Sequence, residues 1–190
     1  MILALGWTLA GAVLGFLALA LAGFFRDPER VIPAGEDLIV APADGKVVSI
    51  APVGSTAMFS GAATRISIFL SPLDVHINRI PVAGKITEVH YQAGAFLPAY
   101  EEAASERNEQ NALKIVDAAG RQFGVVQIAG VLARRIVCWA KTGDDIKRGD
   151  RFGLIMFGSR TDAYLPAGCS VEVSEGQRVK GGETIIGRFL

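Results

Sequence analysis

The sequence predicts a mainly β domain of two related halves, preceded by an N-terminal apolar helix. Three observations lead to this prediction. Residues 2–25 carry no charge, short β-branched runs recur from residue 38 onward with Gly, Pro or Asp between them, and two short sequence patterns each occur twice. Short runs at such regular spacing are typical of all-β sandwiches and barrels.

The N-terminal segment predicts a transmembrane anchor over residues 1–25. About 20 apolar residues span a bilayer core as a helix, and this run is slightly longer. A cleaved signal peptide is the alternative, but the charged region that begins such peptides is missing. Positive charge follows at Arg26 and Arg30, so the positive-inside rule predicts a cell-membrane protein with its body on the cytoplasmic side. Residues 26–37, with two prolines and a glycine, are the predicted linker.

Internal repetition predicts the architecture of residues 38–190. PADGKVVSI at 42–50 matches PVAGKITEV at 81–89, and GDDIKRGD at 143–150 matches GQRVKGGE at 176–183. Each unit combines a glycine turn with a strand, and its apolar face must be covered by another unit. Two related halves of this kind predict a barrel-sandwich hybrid-like domain, similar in architecture to lipoyl and biotinyl carrier modules. A membrane-tethered carrier-like domain is therefore one functional alternative.

The composition excludes several classes of protein. The 19 basic and 19 acidic residues give no net charge and form no polybasic block, which argues against a nucleic-acid partner. Cys138 and Cys169 are too few and too separated for a disulfide framework or a zinc cluster. They are predicted to be ordinary buried thiols, and no metal site is predicted.

A few residues stand out as candidates for chemistry. Gly158 and Ser159 directly follow an apolar strand, although a Gly-Ser pair at a strand end is ordinarily a turn. The chain has two histidines. His76 lies in a polar, turn-like stretch, which favours a functional role. His90 alternates with apolar residues along a predicted strand and is interpreted as a plain strand residue.

Two carboxylates have a structural interpretation beside a functional one. Asp44 stands in the first repeat where the second repeat has Ala83. A carboxylate just before a turn glycine ordinarily satisfies the amides of that turn. The same capping role is predicted for Asp74.

Several stretches, in order along almost the whole chain, resemble the phosphatidylserine decarboxylases, in particular the short form of bacteria and archaea. These stretches are FFRDPER, APADGKV, FLSPLDVHINR, PVAGKI, ARRIVCW, the GD-x-I-KRGDRFGLI-x-FGSR block and EGQRVKGGETI. The resemblance implies a membrane enzyme that removes the carboxyl group of a serine phospholipid and produces phosphatidylethanolamine. Archaetidylserine, the archaeal counterpart, is the alternative substrate.

The resemblance also implies a cofactor made by the chain itself. Loss of carbon dioxide from an amino acid needs an electron sink, which pyridoxal phosphate often supplies. In this family the sink is a pyruvoyl group, which here would derive from Ser159 after cleavage between Gly158 and Ser159. The products would be a large chain, 1–158, and a small chain, 159–190, which remain associated. The amine of the serine lipid would condense with the pyruvoyl ketone.

A serine that attacks its own peptide bond needs a base, and the base needs an orienting group. The family motifs match His76 and Asp44, so Asp44, His76 and Ser159 are the implied maturation triad. Longer family members carry a second histidine where this chain has Arg79, so His76 would serve one step or both. Arg79 is a candidate contact for the lipid phosphate, with a surface salt bridge as the alternative.

One stretch departs from the β pattern. AYEEAASERNEQNA at 99–112 is polar and helix-favouring, and is predicted to be a surface helix or a mobile loop. Its NEQN segment at 108–111 falls where family members carry a related Asn-Glu motif, and it is predicted to be part of a lid near the substrate.

A serine hydrolase that uses the same three side chains without self-cleavage is the enzymatic alternative. It lacks a G-x-S-x-G elbow, and its chain would stay intact. The carrier-like alternative leaves the FGSR block without a purpose.

Overall fold

The computed structural model describes residues 2–55, 61–101, 103–131, 135–156 and 158–190. Phe157 of the FGSR block and the start of the ARRIVCW stretch lie outside these residues. The described helices are α1 (Ile2–Phe24) and α2 (Ala104–Arg107). The described strands are β1 (Leu38–Val40), β2 (Gly45–Val53), β3 (Ala63–Leu70), β4 (Ile77–Arg79), β5 (Gly84–Gln92), β6 (Gln110–Val116), β7 (Gln122–Ile128), β8 (Ile136–Cys138), β9 (Asp145–Ile146), β10 (Arg151–Ile155), β11 (Ser159–Pro166), β12 (Cys169–Val171), β13 (Arg178–Val179) and β14 (Ile185–Phe189).

The described strands form three sheets, which confirms the mainly β prediction. The largest has eight strands in the order β13-β2-β3-β11-β7-β6-β5-β9. The two smaller sheets have the orders β1-β14-β12 and β4-β10-β8. Neighbouring strands pair antiparallel throughout.

The two repeated patterns occupy equivalent places at opposite edges of the large sheet. The strands of the first pattern, β2 and β5, begin at Gly45 and Gly84. The strands of the second pattern pair with them in the same register, so that Val179 lies opposite Gly45 and Ile146 lies opposite Gly84. The halves of the sheet are therefore related strand by strand.

The two halves also exchange main-chain hydrogen bonds where their repeats begin. The amide of Val40 donates to the carbonyl of Pro81 at 3.1 Å, and the amide of Arg79 donates to the carbonyl of Pro42 at 2.8 Å. This reciprocal pair brings the APADGKV and HINRIP stretches together, although about 35 residues separate them in the sequence.

Strand β11 lies inside the large sheet, between β3 and β7. Its residue Ala163 belongs to the main hydrophobic core. Because side chains alternate along a strand, Ser159 and Thr161 point to the same face as Ala163. On the opposite face, Arg160 and Asp162 form a buried ion pair with Nε and Oδ1 2.9 Å apart.

The N-terminal segment forms the predicted helix, but its predicted crossing of a membrane is not supported. Within the part of the chain that the structure describes, no helix combines the length and the apolar content needed to span a bilayer. The described side chains of α1 are exposed, apart from Phe24 in its last turn, which is buried. Met1 lies outside the described residues.

The polar stretch 99–112 agrees with its prediction only in part, because of its described residues only Ala104–Arg107 are helical. Helix α2 has four residues, and the chain is already in strand β6 from Gln110. Asn108 and Asn111 are buried, and their amide groups bond to main-chain or side-chain partners inside the domain. Polar composition therefore misled the prediction, because these amides are satisfied in the interior rather than by water.

Candidate active site

Ser159 is the first residue of β11 and is fully buried. Its hydroxyl oxygen has no hydrogen-bond partner among the described residues. A buried hydroxyl without a partner is costly and uncommon in a folded protein. The preceding residue, Gly158, has a φ of +62°, a left-handed conformation that glycine adopts with little strain.

The carbonyl of Gly158 lies close to a second glycine. A Cβ atom added at Gly130, which follows β7, would overlap the carbonyl oxygen of Gly158. Only a residue without a side chain permits this close approach. The peptide bond before Ser159 is thus held against the main chain of a neighbouring strand.

His76 is buried just before strand β4. Its Nδ1 lies 2.8 Å from the carbonyl oxygen of Asp74, so Nδ1 carries the proton and Nε2 carries the lone pair. Nε2 has no partner among the described residues. The ring of Phe24, from the last turn of α1, stacks on the imidazole with centroids 4.1 Å apart.

Burial lowers the pKa of His76 below its usual value, against the opposing effects of Asp74 and of the Asp44 charge, which raise it. The nearby charge of Arg26 also lowers this pKa. His76 is therefore neutral near pH 7, and its free Nε2 can accept a proton.

Asp44 lies just before β2 and bonds to the linker rather than to His76. Its carboxylate accepts two hydrogen bonds from the guanidinium of Arg30, at 2.8 and 3.0 Å, and one from the amide of Gly181 at 2.8 Å. His76 is instead oriented by a main-chain carbonyl. Asp44 thus acts on His76 through its charge, and the three side chains of the implied triad do not form a hydrogen-bonded chain here.

Arg79 is buried, and its guanidinium donates hydrogen bonds to three groups of the same chain. It donates to the carbonyl of Gly149 at 3.0 Å, to the carbonyl of Pro28 at 2.9 Å and to the carboxylate of Asp27 at 3.2 Å. Burial lowers the pKa of Arg79, and the positive charge of Arg151 lowers it further. Arg79 binds the start of the predicted linker to the domain.

The side chains of the other residues considered from the sequence, which are Asp74, His90 and the two cysteines, lie in surroundings typical of structural residues. Asp74 accepts hydrogen bonds from the amide and hydroxyl of Ser71, which is the predicted turn cap, and it pairs with Arg178. His90 is an exposed residue of strand β5.

The described residues contain no cluster of His, Cys, Asp or Glu that could hold a metal ion. Cys138 and Cys169 are free, half-buried thiols whose pKa values are raised by burial.

Four residues near the candidate site were not predicted from the sequence: Phe24, Arg30, Asn78 and Gly130. The first two come from FFRDPER, a stretch with two arginines and two acidic residues directly after an apolar helix. Such a charge cluster was a signal for contacts with the domain. Asn78 and Gly130 give no signal of their own, because only the tertiary structure brings them to the site.

Comparison with known proteins identifies the family. A sequence profile of the phosphatidylserine decarboxylase family matches residues 17–187. The chain belongs to the phosphatidylserine decarboxylase family. A phosphatidylserine decarboxylase proenzyme of Gluconobacter oxydans is 51% identical over 184 residues, which cover 95% of this chain and 81% of the relative. One from Symbiobacterium thermophilum is 50% identical over 183 residues, covering 96% and 85%. The resemblance inferred from the motifs is thereby confirmed.

Proposed function

We propose that this chain is a proenzyme that cleaves itself between Gly158 and Ser159 and then decarboxylates phosphatidylserine to phosphatidylethanolamine. One observation carries the proposal: the Ser159 hydroxyl is buried and has no hydrogen-bond partner in the described part of the chain, directly after a glycine in a left-handed conformation. The names of the relatives, which are phosphatidylserine decarboxylase proenzymes, support both the precursor and the substrate.

Self-cleavage is proposed to begin with attack of the Ser159 hydroxyl on the carbonyl carbon of Gly158. The hydroxyl proton passes to Nε2 of His76 and then to the amide nitrogen, and the C–N bond breaks. This leaves Gly158 as an ester of the serine oxygen and a free amine on residue 159. Loss of the α-proton of residue 159 then breaks the Cβ–O bond and releases Gly158 as a carboxylate. Water replaces the nitrogen of the resulting dehydroalanine, ammonia leaves, and a pyruvoyl group remains.

The surroundings of Ser159 fit such a group. The site is buried, so competing reactions with water are limited, and the neighbouring carbonyl of Gly158 is held in place beside Gly130. When present, the pyruvoyl group supplies an electrophilic carbonyl that takes up the electrons left behind by carbon dioxide.

His76 is the proposed base for cleavage and the proposed acid for turnover. Its Nε2 takes the proton of the serine hydroxyl in the first reaction. In turnover Nε2 first takes up a proton that the ammonium group of the lipid loses on reaction with the ketone, and it returns this proton to the substrate carbon after decarboxylation. Positioned acid-base groups contribute about 10²–10⁴-fold to a rate. Asp44 is the proposed electrostatic partner, because its negative charge favours the protonated imidazole that forms during both steps.

We also propose a membrane location, with the catalytic domain on the cytoplasmic side. Helix α1 exposes large apolar side chains, among them Trp7, Leu14 and Phe16, which suit contact with lipid. The last turn of the same helix contacts His76 through Phe24. In this proposal residues 1–25 contact the membrane, and residues 26–37 connect them to the catalytic domain. Residues 38–190 form that domain, which is of the barrel-sandwich hybrid type.

Denaturing mass spectrometry of the purified chain tests the proposal. Processing should give fragments 1–158 and 159–190, the smaller one blocked at its N-terminus by a ketone. The Ser159→Ala chain should remain whole and should release no carbon dioxide from carboxyl-labelled phosphatidylserine. A wild-type chain that is active on this lipid while intact at residue 159 would refute self-processing.

A further inference from the structure

The side chains proposed to act together come from strands of two different sheets. His76 directly precedes β4, which pairs with β10 in a three-stranded sheet, and its carbonyl accepts a hydrogen bond from Ile155 of β10. Ser159 begins β11, which pairs with β3 and β7 in the large sheet. The spacing between His76 and Ser159 therefore depends on contacts that cross from one sheet to the other.

One buried asparagine makes such a contact. Nδ2 of Asn78 donates to the hydroxyl of Thr161 at 3.1 Å, and Oδ1 of Asn78 accepts from Nε2 of Gln127 at 2.8 Å. Asn78, Thr161 and Gln127 are all fully buried. Asn78 lies two residues after His76, and Thr161 lies two residues after Ser159. The hydrogen bond between Asn78 and Thr161 thus joins β4 to β11 two residues after each proposed reacting group.

The neighbouring amides fix the direction of the Asn78 side chain. Because Gln127 donates to Oδ1, Nδ2 of Asn78 is left to face Thr161. The Gln127 side chain is oriented in turn by Asn111, whose Nδ2 donates to Oε1 of Gln127 at 3.1 Å. Thr161, Gln127 and Asn111 lie directly opposite one another on β11, β7 and β6. A row of amides therefore crosses the sheet and ends at the strand of Ser159.

We propose that Asn78 is a positioning residue for self-cleavage, which acts by tying the strand of His76 to the strand of Ser159 through Thr161. This inference rests on the proposed function. Attack by a serine hydroxyl needs reacting atoms within about 3–3.5 Å, and a misplacement of 1 Å can cost about 10²-fold in rate. A hydrogen bond two residues from each group is well placed to control that distance.

The test measures the rate of self-cleavage of the full chain after cell-free synthesis, sampled over time on denaturing gels. Thr161→Val keeps the shape of the side chain but removes the hydroxyl, whereas Thr161→Ser keeps the hydroxyl. We expect Thr161→Val to slow cleavage by about 10- to 100-fold, and Thr161→Ser to cleave at close to the wild-type rate. Melting temperatures are measured for each variant in a Ser159→Ala background, where no cleavage intervenes.

A core substitution separates positioning from general loss of stability. Ile115→Val removes one methylene from a fully buried residue of β6, and it should lower the melting temperature without slowing cleavage. The inference is overturned if Thr161→Val cleaves at the wild-type rate, if Thr161→Ser is as slow as Thr161→Val, or if the core variant slows in proportion to its melting temperature.

A second variant covers the case in which Thr161→Val does not fold. Asn78→Ala removes the same bond from the other strand, leaves the Thr161 hydroxyl in place, and is judged by the same criteria. The inference and the proposed function fail in different ways. A folded wild-type chain that never cleaves refutes the proposed function, whereas normal cleavage in the Thr161 and Asn78 variants refutes only the positioning role.

Discussion

The imidazole of His76 is held in its neutral form by its surroundings. Its burial and the ring of Phe24 remove water from it, and the carbonyl of Asp74 fixes the proton on Nδ1. Nε2 is therefore ready to accept the serine proton near neutral pH, whereas its proposed role as an acid in turnover requires it to take up a proton first. The same burial makes the stability of the fold depend on pH.

Protonation of His76 at low pH should destabilise the fold. An unfolded histidine titrates near pH 6.5, and burial lowers the folded pKa of His76 below that value. Between the two pKa values the unfolded chain binds more protons, so stability is full above about pH 6.5 and falls as the pH drops below it. Urea unfolding of the Ser159→Ala chain should show this loss. The free energy of unfolding should fall by about 1.4 kcal/mol for each pKa unit that separates folded from unfolded His76. Adding His76→Gln should remove this loss, and an unchanged pH profile would contradict the prediction.

At the scale of elements, residues 26–30, which follow α1, are fixed to the domain by ion pairs rather than forming a free linker. We call this segment the strap. Asp27 pairs with Arg79 at 3.2 Å and with Arg151 at 2.6 Å, while Arg30 pairs with Asp44 at 2.8 Å. Residues 26–30 thereby connect the end of the helix to Arg79 and Arg151 and, through Arg30, to Asp44, the proposed electrostatic partner of His76. Composition alone predicted a linker, because prolines and charges do not reveal which buried groups they will meet.

The strap predicts unequal effects for two neighbouring acidic residues. Asp27→Ala leaves the buried guanidinium of Arg79 without its counter-charge and should lower the free energy of unfolding by about 1–2 kcal/mol, since Asp27 itself is partly exposed. Glu29→Ala is the matched control, because Glu29 is 90% exposed in its pair with Arg151, and it should cost less than about 0.5 kcal/mol. Chemical unfolding in the Ser159→Ala background measures both. Equal effects would count against a structural strap.

At the scale of the whole molecule, the proposed cleavage would cut the chain in two, but the two fragments would stay paired in the same sheets. Residues 159–190 contribute β11 to the interior of the large sheet, β13 to its edge beside β2, and β14 beside β1. Native mass spectrometry should therefore find both fragments in one particle, and denaturant should be needed to separate them. The uncut Ser159→Ala chain provides the reference mass. A small fragment that dissociates under native conditions would contradict this expectation.

Much of the fold could be predicted from local patterns. The repeats correctly indicated strands that begin at Gly45 and Gly84, because glycine turns and β-branched runs are local signals. The order of eight strands could not be predicted, since pairing depends on contacts far apart in the sequence. The same limit applies to the site. Ser159, His76 and Asp44 stood out through their motifs, whereas Asn78 is recognisable only from the partners that the fold gives it.

The reciprocal bonds between Val40 and Pro81 and between Arg79 and Pro42 also bear on how such a protein could arise. A pair of bonds related in this way can form equally well between two copies of one shorter polypeptide, in the manner of a symmetric homodimer. Duplication and fusion of an ancestral gene would then have freed each copy to diverge. In such a history Asp44 and Ala83, at matching positions of the two copies, would be one divergence, because the proposed reaction cleaves a single bond and needs the carboxylate in only one copy.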